Sequence, residues 1–266
     1  MLFATDLDRT LLPNGPAKTD HKLPELLKII KDKKLTLAYV SGRNLKQLEE
    51  ARVQFSIPLP DYFIAEVGTI LYKNVNDKLE RDTTWDELVA QKTPNWNWQE
   101  LADLGESEGL KLQEAWRQNK FKASFYLYHP SKKHSILSNL ARILEEKKIP
   151  AVVVYSFDPL IDAGLIDILP KEANKVSALE FLRKKLKFRH SGVVYCGDSG
   201  NDLLALSGGY KTILVKNAPD EVKQKAKADN QYNGSGKLLY IAKGGDFGNG
   251  NYASGILEGL HYFKII

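Results

Sequence analysis

The run Leu2-Phe3-Ala4-Thr5-Asp6-Leu7-Asp8-Arg9-Thr10 constrains this chain more than any other. A short apolar stretch leads into two aspartates set two positions apart, then a threonine. Such a stretch reads as a buried strand of a parallel sheet. The carboxyl end of a strand of this kind is where open α/β sheets bind ligands. Two carboxylates this close repel each other and ionise together only beside a cation. Far downstream, Gly192-Val193-Val194-Tyr195-Cys196-Gly197-Asp198-Ser199-Gly200-Asn201-Asp202 repeats the design, an apolar run breaking into glycine and acids.

The rest of the chain predicts how these two segments are carried. After strand Leu2 to Asp6 a helix is expected from about Thr19 to Lys33, with Leu23, Leu26, Leu27 and Ile30 at helical spacing. Strand Leu35 to Val40, a helix through Leu45, Leu48, Ala51 and Val53, strand Tyr62 to Ala65 and a short hairpin Thr69 to Tyr72 follow. This alternation predicts a Rossmann-like, doubly wound parallel sheet. It is lost after Arg81, and all four tryptophans lie between Trp85 and Trp116. Helical stretches with Leu88, Leu101 and Leu104, strand Phe121 to His129, helix Ser131 to Lys148 and strand Ala151 to Tyr155 form an inserted α+β region. Gly164 to Pro170 is read as the return to the core. The expected division is 1–82 and 165–266 for the core and 83–164 for the insert.

Two further strand-to-helix junctions carry polar signals. Val40-Ser41-Gly42-Arg43 follows a predicted strand, and the Ser41 hydroxyl with nearby amides can make an anion site, or Ser41 can simply cap a helix. Asn174-Lys175 opens a predicted helix, where Lys175 either brings positive charge to the site or is solvated. Taken in order, DxDxT (Asp6, Asp8, Thr10), the Ser41 segment, Lys175 and GDxxND (Gly197, Asp198, Asn201, Asp202) resemble the motifs of the haloacid dehalogenase superfamily of phosphatases. An insert between the second and third motifs matches the larger cap type of that superfamily.

Both the chemistry of the residue types and the resemblance bear on roles. A phosphate ester is a dianion that repels nucleophiles, so an enzyme must neutralise charge and align the attacking atom. Asp6 can attack, giving an aspartyl-phosphate. An oxygen-rich acidic site suits magnesium (Mg2+), with Asp198 the best second carboxylate and Asp202 completing the shell directly or through water. The resemblance adds the Asp8 carbonyl as a metal ligand and the Asp8 side chain as general acid and base. It also implies phosphate binding by Ser41, Gly42 and Lys175. Thr10, Ser199 and Asn201 are expected in support.

The ending Asn249-Gly250-Asn251-Tyr252-Ala253-Ser254-Gly255-Ile256-Leu257-Glu258-Gly259-Leu260-His261-Tyr262-Phe263 resembles that of sucrose-phosphate phosphatases. That resemblance implies sucrose 6-phosphate or a related disaccharide phosphate, such as mannosylfructose phosphate, as substrate. One departure stands out. The acidic residue this subfamily carries after its Gly-Ser/Thr pair is Ile70 here, with Glu66 nearby but displaced. Candidate substrate contacts are Arg43, Gly68, Thr69, Gln118, Lys120, Lys122 and Ser124. Lys122 and Ser124 alternate with Phe121, Ala123 and Phe125, so they share a strand face, either turned to a sugar or merely solvated. The tryptophans either stack on a sugar or fill the cap core.

Composition narrows the remaining classes. The chain has 266 residues, 43% hydrophobic, and no apolar run approaching the roughly 18 residues of a membrane span. Net charge is +5, with sequence pI near 9.0, but the basic residues are dispersed on presumed helix faces, so neither nucleic acid nor membrane is expected as a partner. The N-terminus runs straight into the acidic strand, and the single cysteine, Cys196, sits in an apolar run. A cytoplasmic protein is therefore expected. A monomer is the simplest state. Two rivals to a sugar-phosphate phosphatase are a sugar phosphomutase of the same superfamily and a carbohydrate-binding regulatory subunit without catalysis.

Overall fold

A computed structural model of the protein describes residues 1–158 and 161–266. Its strands are β1 (Leu2–Thr5), β2 (Thr36–Val40), β3 (Tyr62–Ala65), β4 (Ile70–Val75), β5 (Lys78–Arg81), β6 (Lys111–Leu112), β7 (Ala123–Leu127), β8 (Ala151–Asp158), β9 (Ala163–Pro170), β10 (Val193–Gly197), β11 (Lys211–Leu214) and β12 (Leu239–Ile241). Its helices are α1 (Leu23–Asp32), α2 (Leu45–Phe55), α3 (Thr83–Lys92), α4 (Trp98–Ser107), α5 (Lys133–Glu146), α6 (Lys175–Lys185), α7 (Leu203–Leu206), α8 (Asp220–Tyr232) and α9 (Tyr252–Tyr262).

The larger sheet has the order β12-β11-β10-β1-β2-β3-β4-β5. The strands from β12 to β3 run parallel, and β4 and β5 add an antiparallel hairpin at the edge. The chain leaves β1 on one side through β2 and β3 and returns on the other through β10, so β1 is the switch point where such sheets open a crevice. Alternation along β1 sorts its residues between two cores. Leu2 and Ala4 face α3, α6, α7 and α8, while Phe3 faces α1, α2 and α9.

Local chemistry sets the helix ends. Asn44 and Gln47 form a reciprocal capping box that starts α2 immediately after the Ser41 segment. Helix α1 begins at Leu23 rather than Thr19, because His21 has φ 58 and Pro24 occupies the first turn. Val53, expected on the apolar face of α2, is exposed.

The smaller sheet, β6-β7-β9-β8, is antiparallel. Helices α4 and α5 cover one face, with Leu101, Ile136, Leu140 and Leu144 against Phe125, Leu127, Ile166 and Ile168. The other face looks toward the switch point. Three expectations are corrected here. Residues 164–170 do not return to the core but form β9, paired with β7 and β8, so the smaller sheet extends to Pro170 rather than ending near 165. A strand covered on both faces reads as a plain apolar run in either sheet, which is why its membership was misread. At the other end, Trp85 and Val89 of α3 pack in the main core, and the Trp85 indole donates to the Gly68 carbonyl (3.1 Å), so 83–92 belongs with the core layers. The hairpin spans 70–81 rather than 69–72.

The glycine-rich ending braces the loop after β1. Asn249 and Asn251 donate to the Lys18 carbonyl, and the Asn249 amide donates to Asp20. The Tyr252 hydroxyl reaches the Ala17 carbonyl at 3.0 Å. Gly250 has φ 82, and a Cβ there would lie 2.6 Å from the Gly244 amide nitrogen, so only glycine fits. No helix among the described residues is long and apolar enough to cross a membrane.

Candidate active site

Three adjacent strand ends build the site. Asp6 follows β1, with its amide held by the Cys196 carbonyl of β10 at 2.9 Å. Asp198 follows β10 and Ser41 follows β2. Asp6, Asp198 and Asp202 each offer an oxygen within 4.8 Å of the others, and all three are buried. Lys175, the first residue of α6 after the Asn174 cap, is 1% exposed and stands among them. Its Nζ lies 3.1 Å from Asp6 Oδ1, 2.8 Å from Asp202 Oδ1 and 2.7 Å from Asn201 Oδ1.

The charges in this cluster are unevenly balanced. Asp202 commits both oxygens: Oδ1 accepts from Lys175 and the Tyr195 hydroxyl, and Oδ2 from the amides of Asp198 and Ser199, each at 3.0 Å. Burial pushes its carboxyl up, but Lys175 and these donors outweigh that and hold it below the ordinary value. Asp8 is gripped by the Arg43 fork, at 2.7 Å and 2.9 Å, and by Asn14 at 2.6 Å. Here too burial is outweighed and the carboxyl is held low. Asp6 and Asp198 fare differently. Burial, only partly offset by Lys175, pushes the Asp6 carboxyl well up. Burial raises Asp198 to about 7 despite Arg9 nearby and a hydrogen bond from the Thr10 hydroxyl at 3.1 Å. Three buried carboxylates thus share one ammonium and one guanidinium of poor geometry, so the cluster is short of positive charge. A hard divalent cation would supply it, and the donor set is all oxygen, so the residues fit magnesium.

Beside the acids lies a cavity of about 310 Å³ between the two sheets. Asp6, Asp8, Gly42 and Arg43 line its floor, while Gln113, Trp116, Lys122 and Asp167 line its roof. The Ser41 hydroxyl, fully buried, accepts from the Arg43 amide at 3.2 Å. Ser199 and Asn201 line the cavity wall, and their side chains bond each other at 3.1 Å.

The predicted substrate residues divide. Arg43 and Lys122 line the cavity. The others do not. Gly68 wedges against the start of α6, where a Cβ would lie 2.1 Å from the Asn174 carbonyl carbon. The Thr69 hydroxyl donates to the Glu66 carbonyl and accepts from Asn119. Gln118 is tied to the backbone of Gln113 and Ser124, and Lys120 stacks its ammonium over Phe121. The Ser124 hydroxyl donates to Asp167, its register partner across β7 and β9. Glu66, held in a left-handed conformation (φ 48), turns its carboxylate to the cavity, 2.6 Å from the Asn119 amide and 3.6 Å from Lys122 Nζ. Of the tryptophans, Trp85 is core, Trp96 and Trp98 bond backbone carbonyls, and Trp116 lines the cavity under the Arg117 guanidinium. Of the cavity-lining residues, the sequence reading did not single out Gln113 or Asp167, and it left Trp116 open as one of four tryptophans. Asp167 was detectable, as the one charge inside the apolar run 163–170.

A parallel sheet with this buried acid cluster at its switch point, under an inserted second sheet, defines a phosphatase of the haloacid dehalogenase superfamily, an enzyme acting on phosphate monoesters. Residues 1–264 match the sucrose-6F-phosphate phosphohydrolase family, and the chain belongs to it. A HAD-like hydrolase of Nitrosococcus oceani is 38% identical over 266 residues, covering 99% of this chain and 71% of that one. Mannosylfructose-phosphate phosphatase of Agrobacterium fabrum is 28% identical, covering 99% and 97%. The sucrose-phosphatase of Synechocystis, solved with sucrose and phosphate, superposes with a TM-score of 0.82 at 27% identity, covering 99% and 98%. Against sucrose-phosphatases of Nicotiana tabacum and Arabidopsis thaliana the chain spans 59% and 60% of their length.

Proposed function

We propose that the protein is a magnesium-dependent phosphatase that hydrolyses a disaccharide phosphate, sucrose 6-phosphate first and mannosylfructose phosphate next, through an aspartyl-phosphate on Asp6. The observation that carries this reading is the cluster of three buried carboxylates, Asp6, Asp198 and Asp202, around one buried ammonium, beside a cavity with polar side chains in its roof. Asp6, Asp198 and the Asp8 carbonyl would hold magnesium, which when bound offsets phosphate charge at the attacking oxygen. Asp202, with both oxygens taken, acts through the loop it pins and through Lys175.

In this reading an Asp6 oxygen attacks phosphorus, the P–O bond to the sugar breaks, and the alkoxide takes a proton from Asp8. Water then attacks the aspartyl-phosphate, Asp8 takes its proton back, and inorganic phosphate leaves. The Arg43 fork opposes protonation of Asp8, so Asp8 must turn off Arg43 to act as the acid. Ser41, Gly42 and Lys175 would hold the phosphoryl group. Lys122, Gln113, Asp167 and Glu66 would take sugar hydroxyls, and Trp116 a ring face. The smaller sheet with α4 and α5, about residues 93–170, is the cap in this scheme. The reading puts the enzyme in the cytoplasm.

The test is phosphate release from a panel of sugar phosphates, with magnesium or with chelator, alongside Asp6→Asn. Magnesium-dependent release favouring sucrose 6-phosphate is expected, falling on the order of 10⁴-fold or more in Asp6→Asn. Release preferring a monosaccharide phosphate would overturn the disaccharide assignment. Release undiminished by Asp6→Asn would overturn the chemistry.

A further inference from the structure

Arg9 lies between Asp8 and Thr10, and neither the fold nor the proposed chemistry accounts for it. Its backbone is in the left-handed region (φ 59) and clamped on both sides. The amide donates to Asn14 Oδ1 at 2.8 Å, and the carbonyl accepts from Asn217 Nδ2 at 2.6 Å. Asn217 is itself fixed by the Tyr252 amide at 2.9 Å. The side chain passes over Gly15, where an added Cβ would lie 2.9 Å from Arg9 Cγ, and enters the cavity wall. There it touches both layers. Nε stands 3.3 Å from Asp198 Oδ2 but is buried without a hydrogen-bond partner, so this is an ion pair of poor geometry. Nη1 donates to the Phe157 carbonyl, on β8 of the smaller sheet, at 2.9 Å.

We infer that Arg9 is a positioning residue that ties closure of the cap to the charge on the acidic centre. One guanidinium serves both Asp198 and the cap carbonyl. In the absence of a cation it is the one cationic side chain in ion-pair contact with Asp198 among the described residues, and its bond to Phe157 holds the cap edge over the cavity. A divalent cation at Asp6 and Asp198 competes for the same oxygen and repels the guanidinium. Cation loading and the grip of Arg9 on Asp198 therefore oppose each other, and by linkage the strength of each sets the other. This rests on the magnesium reading above. It predicts effects of opposite sign when Arg9 is removed: tighter cation binding and a looser cap.

The experiment uses Arg9→Met in the full chain, with two readouts that need no turnover. Magnesium is titrated by calorimetry into substrate-free protein. Cap opening is followed as the labelling rate of a thiol introduced by Ser156→Cys, a buried position in the cavity wall, with and without Arg9→Met. Magnesium should bind about tenfold more tightly in Arg9→Met. The thiol should label roughly threefold faster or more, as a lost charge-assisted hydrogen bond allows. Unchanged or weaker magnesium binding, or an unchanged labelling rate, would overturn the proposal, since a merely structural role lowers thermal stability without tightening the cation. If wild type binds no magnesium, the cation reading itself fails, and the labelling rate still decides whether Arg9 holds the cap. Should Arg9→Met not fold, Arg9→Lys is read instead. An ammonium keeps charge beside Asp198 but cannot span to Phe157, so labelling must rise while magnesium affinity stays within about twofold. Any other pattern overturns the proposal.

Discussion

The two buried polar clusters facing each other across the cavity are built on opposite terms. At the strand ends of the large sheet, three carboxylates and a lysine are forced together, two of the acids short of positive charge. On the face of the smaller sheet, polar side chains bond largely within the sheet, as Gln113 does to the Phe125 carbonyl and Ser124 to Asp167. Two acids line the cavity from that sheet, Asp158 of β8 and Asp167 of β9, and Ser124 already holds Asp167. Reaction chemistry needs concentrated charge, which must be paired or neutralised to be buried at all. Recognition of a neutral, hydroxyl-bearing group needs fixed donors and acceptors, which a sheet face supplies with little charge.

Lys175→Met presses hardest on that contrast. It removes the only ammonium among the acids and leaves Asp6 and Asp202 buried without it, so about 3–5 kcal/mol of stability should go. Activity should fall on the order of 10³-fold or more, seen in urea unfolding and initial rates. Stability unchanged with activity lost would mean the cluster is not a charge-balanced unit. Asp167→Asn comes next. It keeps the shape of the cap face but removes the carboxylate that Ser124 holds, so KM for the preferred sugar phosphate should rise roughly 10–100-fold with kcat nearly unchanged. A fall in kcat at constant KM would move Asp167 into the chemistry and erase the division of labour.

The smallest effect concerns pH. Asp198 has a folded value of about 7, against an ordinary value of 3.8. Between these limits the metal-free folded state keeps a proton that the unfolded chain has lost. Its contribution to stability therefore falls as pH rises through that window. Magnesium binds the deprotonated form and offsets the loss, so the rise in Tm that it brings should be larger, by a few degrees, at pH 8 than at pH 5. A magnesium increment independent of pH would show that Asp198 is already ionised in the metal-free protein.

The same contrast decides what was legible in the sequence. Asp6, Asp8, Asp198 and Asp202 sit in short contiguous motifs at the ends of apolar runs, so one chain position predicts its neighbours, and the structure brings these acids together. The cap face is assembled from alternate residues of β7 and β9 and from an intervening loop. Ser124 and Asp167 are 43 residues apart and meet only through strand register. Nothing local announces that pairing. Gly68 and Thr69 show the reverse case: next to a motif they read as functional, yet Gly68 packs against the start of α6 and Thr69 bonds Glu66 and Asn119. Residues 164–170 were assigned to the wrong sheet because an apolar run does not state its partner.

The position of β1 also has a consequence for the growing chain. Leu2 to Thr5 pair with β2, some 34 residues on, and with β10, starting at Val193. At roughly 5–20 residues per second, translation leaves the second edge of β1 without its partner for about 10–40 s. For that interval the nascent protein carries an apolar strand with an open hydrogen-bonding edge, a known route to misassociation. Neither Lys175 nor Asp198 has yet been made when Asp6 emerges. By the proposed chemistry, the growing chain is silent until Asp198 and Asp202, some 190 residues after Asp6, have been made.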